Sequence, residues 1–369
     1  MIQERLKALR AEMEKRGITV YVVPTADFHE SEYVGDHFKA RKFITGFTGS
    51  AGTAVITLDE AGLWTDGRYF VQAENQLKDS TVTLYRMGEE GVPTVDEFVK
   101  DRLKEGGCLG FDGRVVNGTW GGRLEKIAAE KNVSMHVTED LIDLIWEDRP
   151  ALSKQPLFIL EEKYSGKSTA DKIADLRKAM KENGADVHIL TSLYDIAWLL
   201  NIRGNDIDYV PVVLSYLVLN ETECIWFLQE EVVDDKIRAY LEENHITTKP
   251  YDAIYDYVPE IPADAVVLMN RGTVNYRIVN SLDKAIKVVD KPNPTELMKA
   301  VKNKTEVDNT RAAHVKDGVA FTKFMYWLKT NIGKIPMTEI SASDYLEARR
   351  REQDNFIELS FNTICAYGA

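Results

Sequence analysis

The chain is short of cysteine, of histidine and of long apolar runs, and each shortage narrows what it can be. Its three cysteines, Cys108, Cys224 and Cys365, lie far apart among 369 residues. An odd and scattered set builds no disulfide framework and suits a reducing compartment. With no pair at short spacing, it builds no structural zinc site either. No apolar stretch approaches the roughly 20 residues of a membrane span. The N-terminus mixes acids and bases from Glu4 onward and has no apolar core, so it does not read as a secretory signal. Basic residues are outnumbered, 46 against 59 acidic, for a net charge of −13. That excess argues against non-specific nucleic-acid or anionic-membrane binding, which needs clustered Lys and Arg. The expectation is a cytoplasmic protein with no nucleic-acid and no membrane partner.

What is present is ordinary globular material, 44% hydrophobic and 28% charged, too apolar for disorder. The length implies two or three cores. An internal repeat divides the chain: residues 5–25 (RLKALRAEMEKRGITVYVVPT) and residues 172–192 (KIADLRKAMKENGADVHILTS) align Leu9-Arg10 with Leu176-Arg177, Met13 with Met180, and Gly17 with Gly184. Each copy carries a helical apolar stripe, then a glycine where the helix should end, then a β-branched strand. Two hairpins are predicted, residues 54–58 with 62–64 and 212–219 with 224–228, and helices near residues 71–77, 95–104 and 122–131.

The resulting fold class is α/β: two duplicated domains, residues 1–150 and 156–291, parted where Pro150 and Pro156 interrupt any element, and a third region, residues 295–369. In that region a capping box at Thr305-Glu306-Val307-Asp308 is expected to open a helix to Thr330, with Val315, Val319, Phe324 and Leu328 on its apolar face. Residues 341–354 read as a second helix and residues 356–366 as a strand. About 75 mostly helical residues bury little core by themselves, so this region reads as the opening of a larger domain.

Several polar groups compete for a chemical role. Gly46-Phe47-Thr48-Gly49-Ser50-Ala51-Gly52-Thr53 lacks the lysine of a phosphate loop, and Thr48 breaks the pattern of a nucleophile elbow; it reads as a tight turn into a strand. Asp27, His29, Glu30, Glu32, Asp36 and His37 offer metal-ligand types without a metal-binding spacing, and such side chains usually serve loop hydrogen bonds. His136, His188, His245 and His314 are isolated. Trp64-Thr65-Asp66-Gly67-Arg68-Tyr69-Phe70 places Arg68 after a turn at a strand end. A guanidinium there can hold a carboxylate or carbonyl through paired donors, or merely form a surface ion pair. Asn201-Ile202-Arg203-Gly204-Asn205-Asp206 is a comparable polar turn in the second copy.

These residues carry a resemblance. Pro24-Thr25-Ala26-Asp27 with His29 and Ser31-Glu32-Tyr33, the glycine-rich stretch, and Trp64 to Phe70 resemble the N-terminal domain of the three-domain Xaa-Pro aminopeptidases (aminopeptidase P), of the creatinase/prolidase metallopeptidase family. Asp195-Ile196-Ala197-Trp198-Leu199-Leu200-Asn201-Ile202-Arg203-Gly204 is similar to that family's second domain. Lys299-Ala300-Val301-Lys302-Asn303, Arg311-Ala312-Ala313-His314 with Lys316-Asp317-Gly318, and Glu358-Leu359-Ser360-Phe361 resemble the start of its pita-bread α+β catalytic domain. The resemblance covers essentially the whole chain.

It implies a cytosolic metallo-aminopeptidase that releases an N-terminal residue preceding proline, acting on peptides with proline in second position. It also implies two divalent metal ions, manganese above all, held by two Asp, one His and two Glu, and pairing of subunits into a homodimer in some members. Those ligands are expected after residue 369, since residues 294–369 contain His314 as their sole histidine. No catalytic residue, metal ligand or metal cofactor is therefore expected in this chain, which reads as C-terminally truncated and inactive alone. Arg68 alone matches a family functional residue, an arginine that contacts substrate. The alternatives are a non-catalytic peptide-binding or assembly module and a prolidase or creatinase relative.

Overall fold

The apolar stripe of the first repeat does what its spacing predicts. In the computed structural model, which describes residues 1–367, Leu6, Leu9 and Met13 are buried on α1 (Ile2–Lys15), and Gly17, at φ +67°, turns the chain into β1 (Val20–Pro24). There follow α2 (Ala40–Thr45), β2 (Thr53–Thr57), β3 (Ala61–Thr65), α3 (Phe70–Leu77), β4 (Thr83–Arg86), α4 (Val95–Arg102), β5 (Cys108–Phe111), α5 (Gly118–Glu130) and β6 (Ser134–His136). The strands form one sheet in the order β4-β3-β2-β1-β5-β6. It is antiparallel across β1, β2 and β3 and parallel at both flanks, and helices cover it.

The second half repeats the plan. A short strand β7 (Phe158–Ile159) and helix α6 (Glu162–Ser165) precede α7 (Thr169–Glu182), β8 (Val187–Leu190), α8 (Leu193–Leu200), β9 (Ile202–Arg203), β10 (Ser215–Leu219) and β11 (Cys224–Leu228). Then come α9 (Asp235–Glu243), β12 (Thr247–Pro250), α10 (Ile254–Tyr257), β13 (Val266–Met269), α11 (Tyr276–Ser281) and β14 (Lys287–Asp290). Its main sheet runs β12-β11-β10-β8-β13-β14, the same succession of counterparts. The aligned arginines explain their own recurrence. Arg10 Nε donates to the Thr57 carbonyl at 2.9 Å and Arg177 Nε to the Asn220 carbonyl at 3.0 Å. In each half the repeated helix, α1 or α7, is thus stitched to the hairpin. Both predicted hairpins form, β2 with β3 and β10 with β11.

The halves meet through α5 and α11. Asn117 caps α5 by accepting from Trp120 N–H, and Asn275 caps α11 by accepting from Ile278 N–H. The two caps pair with each other as an antiparallel bridge. Around them the main chains exchange bonds in reciprocal pairs. Gly118 N–H donates to Val274 O at 2.8 Å and Tyr276 N–H to Val116 O at 2.7 Å; Thr119 N–H donates to Arg271 O at 3.0 Å and Arg277 N–H to Gly113 O at 2.9 Å. Phe28 and Phe38 of the first half join the second half's core.

Beyond the second sheet lie α12 (Pro294–Ala300), α13 (Lys304–Asn331) and α14 (Glu339–Arg351). Three expectations change here. The N-cap of α13 is Asn303, reciprocated by Glu306, rather than Thr305 with Asp308. Of the predicted apolar face, Val315 and Val319 are exposed while Phe324 and Leu328 are partly buried; α14 and α6 are the main helices packed against α13. Residues 356–366 form no strand: no described strand runs beside them to complete a ladder, and an unpaired strand is not stable in water. Trp327 stacks on Tyr345 at 4.0 Å and joins α13 to α14. No described helix is long and apolar enough to cross a membrane.

The close approach of α5 to α11 can be tested by its sign. A Cβ on Gly121 would lie 2.1 Å from the Tyr276 ring, whereas one on Gly122 would meet nothing within 4 Å. Gly122→Ala is expected to stabilise by about 0.5–1 kcal/mol through helix propensity. Gly121→Ala is expected to destabilise by about 1–3 kcal/mol through overpacking. Urea denaturation of both variants checks the pair; a stabilised Gly121→Ala would disprove the tight seam.

Candidate functional site

The glycine-rich loop is a cradle for a side chain of the chain itself. Arg41, buried on α2, donates from Nη1 to Phe47 O at 2.6 Å, from Nη2 to Gly49 O, and from Nε to Thr25 Oγ1 at 2.9 Å, while its guanidinium lies 4.7 Å from the Phe47 ring centroid. Burial pulls its pKa down to about 10. With its carbonyls turned toward an internal cation, the loop is no anion nest, and the tight-turn reading stands. Gly52 needs its freedom: at φ +158° its missing Cβ would sit 2.9 Å from Trp64 O. Sequence reasoning did not single out Arg41, because nothing local marks an arginine as an internal ligand.

Arg68 occupies the expected turn between β3 and α3 and is exposed. Its Nε and Nη2 donate to Asp66 at 2.8 Å each, which holds the Asp66 carboxyl below its usual range. The guanidinium also lies 5.1 Å from the Tyr69 ring centroid, and Tyr69 Oη meets Ser50 Oγ at 2.5 Å. The two bonds to Asp66 use one edge of the fork and leave Nη1 for an incoming acceptor.

The six-residue polar cluster separates into a buried part and a surface part. Asp27 Oδ1 accepts from the His29 and Ser31 N–H groups at 2.9 and 3.0 Å. His29 is buried across the seam between the halves. Its Nδ1 lies 3.0 Å from Thr191 O and its Nε2 2.6 Å from Tyr251 Oη. A carbonyl only accepts, so Nδ1 carries the proton and Nε2 accepts from the tyrosine. Burial lowers the imidazole pKa to about 4. Glu30 accepts from Asn117 Nδ2 at 3.1 Å, Asp36 pairs with Lys39, His37 Nδ1 meets Pro150 O at 2.8 Å, and the Glu32 side chain is exposed. None of the six converges on a common point. Among the described residues no group of three or more His, Cys, Asp or Glu is placed to hold a metal ion.

The polar turn of the second copy also serves the fold. Asp195, in the first turn of α8, is buried and accepts from Lys299 Nζ at 2.6 Å and Asn293 Nδ2 at 3.3 Å, which ties α12 to α8. At the other end Asn201, at φ +50°, closes α8. Lys172 Nζ donates to Trp198 O at 2.8 Å and to Asn201 Oδ1 at 2.7 Å, while Arg203 reaches Ala197 O. Burial, then the neighbouring Arg203, lowers the Lys172 pKa to about 8. Arg203 is therefore spent on a helix end, whereas Asn205 and Asp206 continue into a hairpin that reaches the third region.

There a cleft of about 670 Å³ runs between α13 and residues 353–363, lined by His314, Asp317, Arg350, Glu358 and Phe361 among others. Glu358 takes its pKa upward through burial and is met by Tyr209 N–H at 3.3 Å. Three parts of the chain converge at this point; the sequence marked His314 and Glu358 to Phe361 by resemblance, and nothing in it joined them to Tyr209.

Residues 5–145 and residues 148–306 each match the Creatinase/Prolidase N-terminal domain family. The chain is 38% identical to "Probable Xaa-Pro aminopeptidase P" of Sordaria macrospora over 99% of its own length and 62% of the relative's. It is also 38% identical to the protein of that name from Neurospora crassa, over 99% of its length and 55% of the relative's. The chain thus spans little more than half the length of these relatives. The crystal structure of an X-prolyl aminopeptidase from Caenorhabditis elegans, described as a cytosolic enzyme with a di-nuclear active site, superposes with a TM-score of 0.93 at 32% identity, covering 99% of this chain and 62% of that one.

The buried histidine sets a pH dependence. The unfolded imidazole binds its proton near 6.5 and the folded one only near 4, so the unfolded state holds more protons between these values. The His29 contribution is complete above pH 6.5 and is lost as pH falls toward 4, by up to about 3 kcal/mol. His29→Gln is expected to flatten that part of the stability profile. Denaturant titrations at pH 5 and pH 7 on both proteins measure it; equal slopes would place the imidazole in solvent.

Proposed function

We propose, from the premise that the chain carries two creatinase/prolidase N-terminal domains in tandem, that it belongs to the Xaa-Pro aminopeptidases and that the protein is a cytoplasmic metallo-aminopeptidase releasing the residue before proline. The observation that carries this reading is the TM-score of 0.93 over 99% of the chain with the nematode X-prolyl aminopeptidase. In this reading residues 1–150 and 156–291 form the two scaffold domains, and residues 295–369 begin the pita-bread catalytic domain.

The substrate chemistry is demanding. Proline makes the scissile amide tertiary, removes its N–H and fixes φ, so a site must be shaped for that imino residue. Two divalent ions, manganese in our reading, would supply activated water and polarise the carbonyl when bound. The described residues do not provide the donor set for such a pair. We propose that the 369-residue chain is inactive by itself, with the ligands on other residues of the protein. What this chain offers is Arg68, whose free Nη1 would donate to a substrate carbonyl or carboxylate while Asp66 holds the rest of the guanidinium still.

The test compares the 369-residue chain with the longest reading frame that contains it, each supplied with manganese and an Xaa-Pro peptide. The longer protein is expected to release the first residue and the shorter to release none. Turnover by the shorter chain would overturn its proposed inactivity; no turnover by the longer would overturn the aminopeptidase reading. In the active protein Arg68→Ala is expected to lower kcat/KM about tenfold or more with an unchanged Tm, since the residue is exposed and touches only its own turn. An unchanged kcat/KM would make the Asp66–Arg68 contact a plain surface ion pair.

A further inference from the structure

The ion pair of Arg68 with Asp66 lies at the surface. Such a pair alone does not fix a long side chain, because it gains little and costs rotamer freedom. Here a second support is present. The guanidinium carbon lies over the Tyr69 ring at 5.1 Å from its centroid, within cation–π reach, while Asp66 takes the edge formed by Nε and Nη2. Edge and face are both held, and Nη1 keeps its donors for a partner.

Tyr69 is itself fixed by the glycine-rich loop. Its hydroxyl meets Ser50 Oγ at 2.5 Å, and its ring meets Phe47 in a T-shaped contact at 5.9 Å between centroids. The loop is braced from within by Arg41, which takes the carbonyls of Phe47 and Gly49 and lies 4.7 Å from the centroid of the fully buried Phe47 ring. It is braced from the other side by α3. Thr48 N–H donates to Gln76 Oε1 at 2.8 Å, and Thr48 Oγ1 accepts from Gln72 Nε2 at 2.9 Å and from Gln76 Nε2 at 2.8 Å. Gly49 leaves the rings their room: a Cβ there would fall 2.2 Å from the Phe47 ring and 2.9 Å from that of Tyr69. An unbroken set of contacts therefore runs from a buried guanidinium, Arg41, to an exposed one, Arg68. Tyr69, half-buried, carries the rigidity of the core to a group in solvent.

We propose that Tyr69 is the positioning residue of Arg68, and that Ser50, on the loop braced by Arg41, anchors Tyr69 in that task. The inference rests on the aminopeptidase reading and on Arg68 as its substrate contact, and adds the groups that orient this contact in advance. A guanidinium already held by edge and face loses less freedom when a substrate oxygen arrives, so more of the new hydrogen bond is kept as binding. Tyr69 and Ser50 touch no substrate; they act through Arg68.

The experiment is a double-mutant cycle on kcat/KM for Ala-Pro-Ala in the longest protein containing this chain. Tyr69→Leu removes ring and hydroxyl together. It is expected to lower kcat/KM about fivefold when Arg68 is present and less than about twofold in an Arg68→Ala background, since a residue that acts only through another loses its effect with it. Tyr69→Phe keeps the ring and gives up the anchor, and is expected to cost about two- to threefold. Ser50→Ala, at an exposed position, is expected to cost the same and to add nothing to Tyr69→Phe, because both break one contact. Equal losses from Tyr69→Leu with and without Arg68, or no loss at all with Arg68 present, would overturn the inference and leave the aminopeptidase reading in place. Losses that multiply in the Ser50→Ala, Tyr69→Phe double variant would overturn the anchoring by the loop. An Arg68→Ala protein with unchanged kcat/KM would remove the substrate contact, and this inference with it. Failure of the unaltered protein to cleave the peptide would overturn the aminopeptidase reading itself.

Discussion

Four main-chain hydrogen bonds exchanged between residues 113–119 and 271–277 set the orientation of the two halves. The start of any helix leaves N–H groups without partners inside that helix. Here the first two donors of α5, at Gly118 and Thr119, are taken by carbonyls of the second half, and those of α11, at Tyr276 and Arg277, by carbonyls of the first. Each half completes the other's helix, and the third donor is left to the asparagine cap. Separating the halves would strand these donors together with the buried His29 contacts, so the arrangement of Arg68 and Tyr209 in space follows from this seam.

Helix α8 transmits that order to the third region. It carries Asp195 near its N-terminal end and receives Lys172 and Arg203 at its C-terminal end, the placement that the helix dipole favours. Buried charges of this sort add little net stability, but their pairing is exacting. The Asp195–Lys299 pair admits α12 in one place, and through it sets where α13 begins.

Much of this architecture was legible in the sequence. The stripes at Leu6, Leu9 and Met13 and at Ile173, Leu176 and Met180 gave the duplicated helices, and the hairpins followed from turn residues between apolar runs. The seam was not legible, because bonds between main chains leave no residue signature. Thr305 and Asn303 both satisfy the local rules for a cap; Asn303 prevails because its Nδ2 also donates to Ser165 O at 2.8 Å, a tertiary contact. Residues 356–366 have strand composition, but a strand is a property of a pair. At the candidate site, Arg68 stood out through its turn, whereas Glu358 and Tyr209, 149 positions apart in the chain, acquire meaning only when folding brings them together.

The stretch joining the halves is itself tied down. Arg149 bonds to Asp140 at 2.6 Å and to His37 O at 2.9 Å, and Lys154 pairs with Glu231 at 2.7 Å. A short tether keeps each half facing the other at an effective concentration on the order of millimolar. A symmetric contact could in principle be satisfied by a neighbouring molecule trading its own half. The covalent link makes that exchange lose to self-closure at any dilution a cell or a test tube normally offers, so a self-complementary surface is kept from becoming an adhesive one.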